Sequence, residues 1–359
     1  MNNSKRNSKP VIGISVGDIN GIGTEIILRV FSDPRIYEYC TPLVFGCKNL
    51  VNYYLKVLNI RDLNYEIVRD PKQLNSRKLN ILCDWNVDSE IKIEIGKPTE
   101  SSGLYAYNSL NSAMQALKQK LIHALVTAPI NKSNIQSDVF KYPGHSEYLM
   151  KESGASSYLM LMVSEIMKMG VVTDHIPLRE VSSRLSRELI VEKLRLYNET
   201  LVKDFAINKP KIAVLGLNPH AGDADLLGTE ESEIIIPAIN EAKEKGILAM
   251  GPYSADGFFG SQMYYKFDGV LAMYHDQGLA PFKSLVFDKG VNYTAGLPII
   301  RTSPVHGTGF NIAGQGIADE NSFREALFVA IQVMKNREQH KEITRDPLGT
   351  KLVREKEDL

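Results

Sequence analysis

The sequence predicts an α/β fold with mostly parallel strands, in two domains with a cleft between them, and three observations predict it. Short β-branched or apolar runs alternate with stretches of helical period through most of the chain. The strand-like runs end where polar residues and glycines crowd in, and open α/β sheets place their ligands beyond such ends. The chain has 359 residues, too many for one ordinary core and comfortable for two domains of roughly 150 to 200 residues each.

The elements follow in order. MNNSKRNSKP reads as a disordered, basic lead, and no apolar h-region comes after it because Gly13, Gly17 and Asp18 interrupt VIGISVGD. VIGISV (11–16) is a buried strand, GDINGIG (17–23) a turn, and Ile26, Ile27 and Val30 mark the helix behind it. The glycine spacing is neither G-x-G-x-x-G nor G-x-x-x-x-G-K-[ST], so this turn by itself receives no nucleotide role. Further strands read at 122–127 (IHALVT), 157–162 (SYLMLM), 211–215 (KIAVL) and 269–273 (GVLAM). Pro177 to Ala206 is one long helix or two in succession. The Gly-rich stretch 296–319 is too elaborate for a plain surface loop, and the charged tail after Arg337 reads as a solvated or frayed helix end.

Lys plus Arg equals Asp plus Glu at 42 each, so no global field favours nucleic acid or an anionic surface, and any anion site is local. No apolar run approaches the length of about 18 residues that a membrane span needs. Cys40, Cys47 and Cys83 have no C-x-x-C spacing and leave one thiol over, which argues for a reducing compartment and a cytoplasmic protein.

His175 (TDHIPL), His220 (GLNPHAG) and His275 (MYHDQG) each follow an apolar, strand-like run. On a shared strand edge they converge, and three neutral imidazoles with an open position suit Zn²⁺ before Co²⁺ or Mg²⁺. A histidine of this kind taken singly is more often a hydrogen-bonded loop residue. Asp256 is a candidate ligand, orienting carboxylate or proton acceptor, against the plain alternative of a turn residue before Gly257. His145 and Ser146 sit where a loop opens a helix and offer an imidazole, a hydroxyl and free N–H groups to an anion, although Ser146 is equally a helix cap. Lys283 and Arg301 lie in apolar segments with Asn292 between them, where two cations and an amide hold a phosphate unless a salt bridge claims them.

The blocks TAPINK (127–132), GHSE (144–147), DHIPL (174–178), GLNPHAGD (216–223), MYHDQGL (273–279), VNYTAGLP (291–298) and RTSPVHGTGF (301–310), in order from Val11 to about Ser322, resemble the 4-hydroxythreonine-4-phosphate dehydrogenase family of vitamin B6 biosynthesis. The resemblance implies a homodimer of two-domain subunits with the isocitrate/isopropylmalate dehydrogenase-like fold, its active site near the interface and completed by partner residues. It divides the chain into residues 1–135 plus 300–359, carrying a nucleotide loop, and residues 136–299, carrying metal and substrate residues. It gives His175, His220 and His275 to a divalent metal, and His145, Ser146, Lys283, Asn292 and Arg301 to a phosphorylated substrate. HGTGFNIAGQGIAD (306–319) resembles the loop by which β-decarboxylating dehydrogenases hold NAD or NADP, with Gly296, His306, Gly307, Thr308 and Asn311 as contacts. Val305, Asn311 and Gln315 stand where the family usually has Asp, Asp and Lys, so this loop carries less charge. The expected reaction is oxidation and decarboxylation of 4-phosphohydroxy-L-threonine. A four-carbon sugar-acid phosphate such as threonate or erythronate 4-phosphate is the alternative substrate, and a phosphate acyltransferase or a non-catalytic binding protein the alternative class.

Overall fold

Runs of apolar residues buried on both faces form a central sheet in the computed structural model, which describes residues 9–85 and 92–345. The lead's first eight residues and the last fourteen of the tail lie outside the described residues. The strands are β1 (Val11–Ser15), β2 (Thr41–Phe45), β3 (Tyr65–Val68), β4 (Leu79–Leu82), β5 (Ala124–Thr127), β6 (Leu159–Val163), β7 (Lys168–Thr173), β8 (Lys211–Leu215), β9 (Leu248–Tyr253), β10 (Gly269–Tyr274), β11 (Val291–Ala295) and β12 (Arg301–Pro304). Their order is β3-β4-β2-β1-β5-β12-β11-β6-β7-β10-β8-β9. Neighbours are parallel except at β12-β11, β11-β6 and β6-β7. Those three reversals make β7, β10, β8 and β9 run opposite to β1, β2, β4, β5 and β12. Strands from the first 135 residues and β12 therefore occupy one half of a continuous sheet, and β6 to β11 the other.

Helices cover both faces: α1 (Gly23–Phe31), α2 (Lys48–Val57), α3 (Glu100–Lys118), α4 (His145–Ser153), α5 (Val181–Arg184), α6 (Arg187–Lys203), α7 (Ile236–Glu244), α8 (Ala255–Gly260), α9 (His275–Val286) and α10 (Asn321–Arg345). None of those described is long and apolar enough to cross a membrane. The Pro177–Ala206 stretch resolves into α5 and α6, separated at Leu185 because the Ser186 hydroxyl accepts the Leu189 N–H and caps a new helix. Cys40 and Cys47 are buried, Cys83 is half-buried, and all three are free thiols. Burial pushes the Cys40 thiol up to about 12, which marks it as unreactive packing.

The turn after β1 is a scaffold. The buried Asp18 carboxylate accepts from Asn20 N (2.9 Å), Ser102 Oγ (3.1 Å) and Asn134 Nδ2 (2.7 Å), while Asp18 N donates to Pro129 O at 2.9 Å. The TAPINK loop is thereby tied to the first turn. Ile22 N donates to Thr308 O at 2.8 Å, and a Cβ at Gly21 would stand 2.5 Å from that oxygen, so only glycine lets the two loops approach.

Candidate active site

Parallel neighbours end at one edge, and β7, β10, β8 and β9 bring four predicted residues there. His175 follows β7, His275 opens α9 directly after β10, His220 stands in the loop after β8, and Asp256 lies in α8 after β9. The His175 and His275 rings are 5.7 Å apart between centroids and line a cleft of about 320 Å³ with Asp174, Ile176, Leu178 and Tyr274. His220 and Asp256 form a neighbouring pair outside that lining, close enough for the imidazole charge to act on the carboxylate. His220 and Asp256 thus stand at the same strand edge as the His175–His275 pair. Among the described residues, the set whose ligand atoms all lie within 4.8 Å of one another is Glu147, Asp174 and His175.

His220 belongs to a left-handed run, with φ of +54° at His220 and Ala221, +86° at Gly222, +43° at Asp223, +55° at Ala224 and +72° at Asp225. Each non-glycine residue there costs about 1–2 kcal/mol, strain that persists only when surrounding bonds impose it. Glu231, 2% exposed, imposes it: its carboxylate accepts from Leu217 N (2.7 Å), Asn218 N (2.8 Å) and Asn218 Nδ2 (2.9 Å). Asp256 is exposed, and its carboxyl is held below the usual range first by the Ser254 hydroxyl, then by the Gly257 N–H, with His220 contributing further.

His175 is surrounded by groups the sequence did not single out. Lys132, from the TAPINK loop, donates to His175 Nε2 at 3.3 Å, and Glu147 Oε1 lies 3.7 Å from Nδ1. Tyr158 contacts Asp174 Oδ2 at 2.6 Å and Glu147 Oε1 at 3.0 Å. His275 Nδ1 is 2.6 Å from Asp276 Oδ1. Burial raises the Tyr158 phenol far above its ordinary value, with Asp174 adding to it, so this group is a neutral donor.

The anion pocket assembles from both halves of the sheet. Arg301, 3% exposed at the start of β12, donates Nε and Nη2 to Thr127 Oγ1 (3.1 and 2.7 Å) and Nη1 to Thr294 Oγ1 (3.1 Å). Thr294 Oγ1 in turn meets Ser146 Oγ at 3.4 Å. Asn292 stands two residues before Thr294 on the same face of β11, and its Oδ1 is buried without a partner, as is His145 Nε2. Burial lowers the His145 imidazole well below its ordinary value, and the charges of Arg301 and Lys132 push the same way. Burial brings Arg301 down to about 10, with the Glu147 carboxylate opposing. Lys283 is half-buried on α9 and, among the described residues, has no ion pair.

The loop 306–319 is pinned to α1. Glu25 accepts from Gly314 N (3.0 Å) and Ala318 N (3.4 Å), and Arg29 donates to Gly316 O. His306 Nε2 is enclosed without a partner, Gly307 is exposed with open space around it, and Thr308 and Asn311 stand on the same loop. Gly296 corrects the expected grouping. It follows β11, and because β11 and β12 are antiparallel it stands at the opposite end of that pair from His306, forming a left-handed turn (φ +85°) against Leu196.

A mostly parallel α/β sheet with an imidazole pair at its strand ends, next to a buried arginine that has no ion pair among the described residues, is the frame of an α/β enzyme. The chain belongs to the family of the pyridoxal phosphate biosynthetic protein PdxA, whose family model matches residues 38–330. It is 48% identical over 349 residues to the 4-hydroxythreonine-4-phosphate dehydrogenase of Bacteroides thetaiotaomicron, covering 97% of this chain and 95% of the relative. The enzyme of the same name from Aquifex aeolicus is 42% identical over 316 residues, covering 88% of this chain and 96% of the relative. The crystal structure of 4-hydroxythreonine-4-phosphate dehydrogenase from Klebsiella pneumoniae superposes with a TM-score of 0.79 at 30% identity, over 91% of this chain and 100% of that one. Family membership sets aside the acyltransferase and binding-protein alternatives.

Proposed function

We propose that the chain oxidises and decarboxylates 4-phosphohydroxy-L-threonine with NAD, giving 3-amino-2-oxopropyl phosphate, CO₂ and NADH for pyridoxal phosphate synthesis in the cytoplasm. The observation that carries it is the buried Arg301, which has no ion pair among the described residues, beside His145, whose enclosed Nε2 has no partner there, within a Lys132 side chain's reach of His175.

His145, Ser146, Asn292 and Arg301 hold the phosphoryl oxygens, and the Thr127 and Thr294 hydroxyls fix the guanidinium plane so that its remaining N–H groups face the ligand. Lys283 of α9 adds a second cation. The donor set at the strand ends fits a divalent cation: His175 and His275 each have a carboxylate beside Nδ1, which leaves Nε2 as the outward lone pair. His175, His220 and His275 would hold that cation, Zn²⁺ before Co²⁺ or Mg²⁺, with Asp256 beside His220 to orient it. A cation held there would supply Lewis acidity at the substrate hydroxyl, and NAD or NADP would supply the hydride acceptor. The nucleotide would lie on the pinned loop, where His306, Gly307, Thr308 and Asn311 stand, Gly307 and Asn311 exposed, and which α1 holds in place.

Residues 1–135 plus 300–359 and residues 136–299 are the two proposed domains, joined through the β11–β12 pair. A homodimer completes the site, and Leu178 (71% exposed), which lines the cleft with His175, presents apolar surface to a partner there. The test is NADH formation from 4-phosphohydroxy-L-threonine, with threonate 4-phosphate in parallel and with chelator added to each. Activity on the amino acid ester that chelator abolishes and Zn²⁺ restores is expected. Turnover of threonate 4-phosphate alone would overturn the substrate, and turnover indifferent to chelator would overturn the metal.

A further inference from the structure

We propose that Glu147 is the positioning residue of His175: it receives the imidazole's Nδ1 hydrogen and keeps the Nε2 lone pair turned to the cleft, while Tyr158 braces it against Asp174. The inference rests on His175 being a metal ligand, as proposed above.

Three hydrogen-bond accounts lead to it. The Lys132 ammonium has three donors and no acceptor, so at 3.3 Å from His175 Nε2 it requires that nitrogen to accept, and a neutral ring then carries its hydrogen on Nδ1. That hydrogen has Glu147 Oε1 at 3.7 Å, a gap that closes to bonding length with a shift of about 0.8 Å. The second account concerns Tyr158, which has one hydrogen and touches two carboxylates, Asp174 Oδ2 at 2.6 Å and Glu147 Oε1 at 3.0 Å. The shorter contact takes the hydrogen. Glu147 Oε1 therefore takes another donor, Glu147 Oε2 has no hydrogen-bond partner among the described residues, and the nearby side-chain nitrogen placed to donate is His175 Nδ1, next to the contribution of Glu147's own N–H. The third is repetition: His275, in the same cleft, has Asp276 Oδ1 at 2.6 Å from its own Nδ1. Both rings are backed by a carboxylate on the side away from Nε2, the arrangement that orients metal-bound histidines.

The brace is built from three elements. Glu147 sits in the first turn of α4, Tyr158 immediately precedes β6, and Asp174 follows β7, where its Oδ1 also accepts the His175 N–H at 2.7 Å. Lys193 of α6 fixes Tyr158 by donating to its carbonyl and lying 5.3 Å over its ring. Lys132 and a cation at Nε2 compete for one lone pair, so the two residues that touch the opposite nitrogens of His175 act on cation affinity with opposite signs. The rival arrangement makes Glu147 and Asp174 ligands themselves, since their oxygens and a His175 nitrogen lie within 4.8 Å.

Titration of the full-length, chelator-stripped protein with Co²⁺, followed by its visible absorption, separates these. Glu147→Gln should weaken Co²⁺ about 10–100-fold with the band shape unchanged, the usual effect of losing such a partner. Tyr158→Phe should weaken it by a smaller factor, and Lys132→Met should tighten it. Unchanged affinity in Glu147→Gln overturns the proposal, as does an altered band, which would make Glu147 a ligand. If Glu147→Gln fails to fold by circular dichroism, the opposite signs of Tyr158→Phe and Lys132→Met decide, and equal signs overturn it. A His175→Ala variant that still binds Co²⁺ normally would sink the metal reading itself, an outcome distinct from a null result at Glu147.

Discussion

A guanidinium 3% exposed, with three hydrogen bonds that all end on threonine hydroxyls, is an expensive thing to bury. Its desolvation is offset when a dianion arrives, so Arg301 favours ligand affinity over stability of the free protein. Arg301→Met should raise KM for the phosphorylated substrate roughly 100-fold, the worth of two hydrogen bonds to a charged group at about 1.5 kcal/mol each. Its urea midpoint should equal or exceed the parent's. A variant that loses stability while keeping KM would show Arg301 to be a structural residue. Arg301 was legible in the sequence because a cation in PIIRTSP has to be explained, and each imidazole because it followed an apolar run. Glu147, Tyr158, Asp174 and Lys132 were not, since a carboxylate's role depends on what stands opposite it in space. Lys132 reaches His175 across 43 positions of chain, and Tyr158 opens an apolar strand in which a phenol reads as packing.

Several strands made of unbroken apolar runs were readable, though the buried β2 and β4 were not; strands whose polar side lines something also escaped. β5, β6, β8 and β10 are nearly unbroken apolar runs, and the structure places them within two residues of the expected bounds. β11 (VNYTA) and β12 (RTSP) carry Asn292, Thr294 and Arg301 at the pocket, so their polar alternation gave no apolar run to read as strand. α3 escaped because Ser102, Gly103, Ser109 and Ser112 are buried among its apolar residues and blur the stripe that Tyr105, Leu110, Ala113, Met114 and Leu117 form. A Cβ on Gly103 would stand 2.0 Å from Asn134 O, and the Ser109 hydroxyl donates to Phe45 O while accepting Val16 N–H. At this scale the loop after β8 carries its own prediction. Glu231→Gln keeps one oxygen for Leu217 N and Asn218 N but sets an amide N–H₂ against Asn218 Nδ2, a mismatch worth about 1–3 kcal/mol. Hydrogen exchange should quicken over residues 216–228 and stay unchanged in β8. Uniform exchange throughout would mean that the left-handed run at His220 holds itself.

Across the whole molecule the formal charges cancel, so its response to acid is set by a few enclosed groups rather than by self-repulsion. His145 and His306 are two of them, each with an enclosed and unpartnered Nε2. Burial lowers the His145 pKa well below 6.5, helped by the charges of Arg301 and Lys132, and burial likewise lowers that of His306. In the unfolded chain both titrate near the ordinary value of about 6.5. Between the folded and unfolded values the unfolded state binds more protons, so stability is fully present above about pH 6.5 and is lost as pH falls below it. The slope reaches at most about 1.4 kcal/mol per pH unit for each histidine, appreciable against a total of about 5–15 kcal/mol. Urea unfolding should therefore show a lower midpoint at about pH 5.5 than at about pH 7.5. His145→Gln should flatten part of that dependence and His306→Gln another part. Saturating inorganic phosphate should flatten the His145 share alone, because an anion beside the ring favours its charged form. A decline equally steep in parent, both variants and phosphate would place the acid sensitivity elsewhere. It would also mean that the pocket around His145 does not receive an anion, and the phosphoryl-binding role of Arg301 would then fail with it.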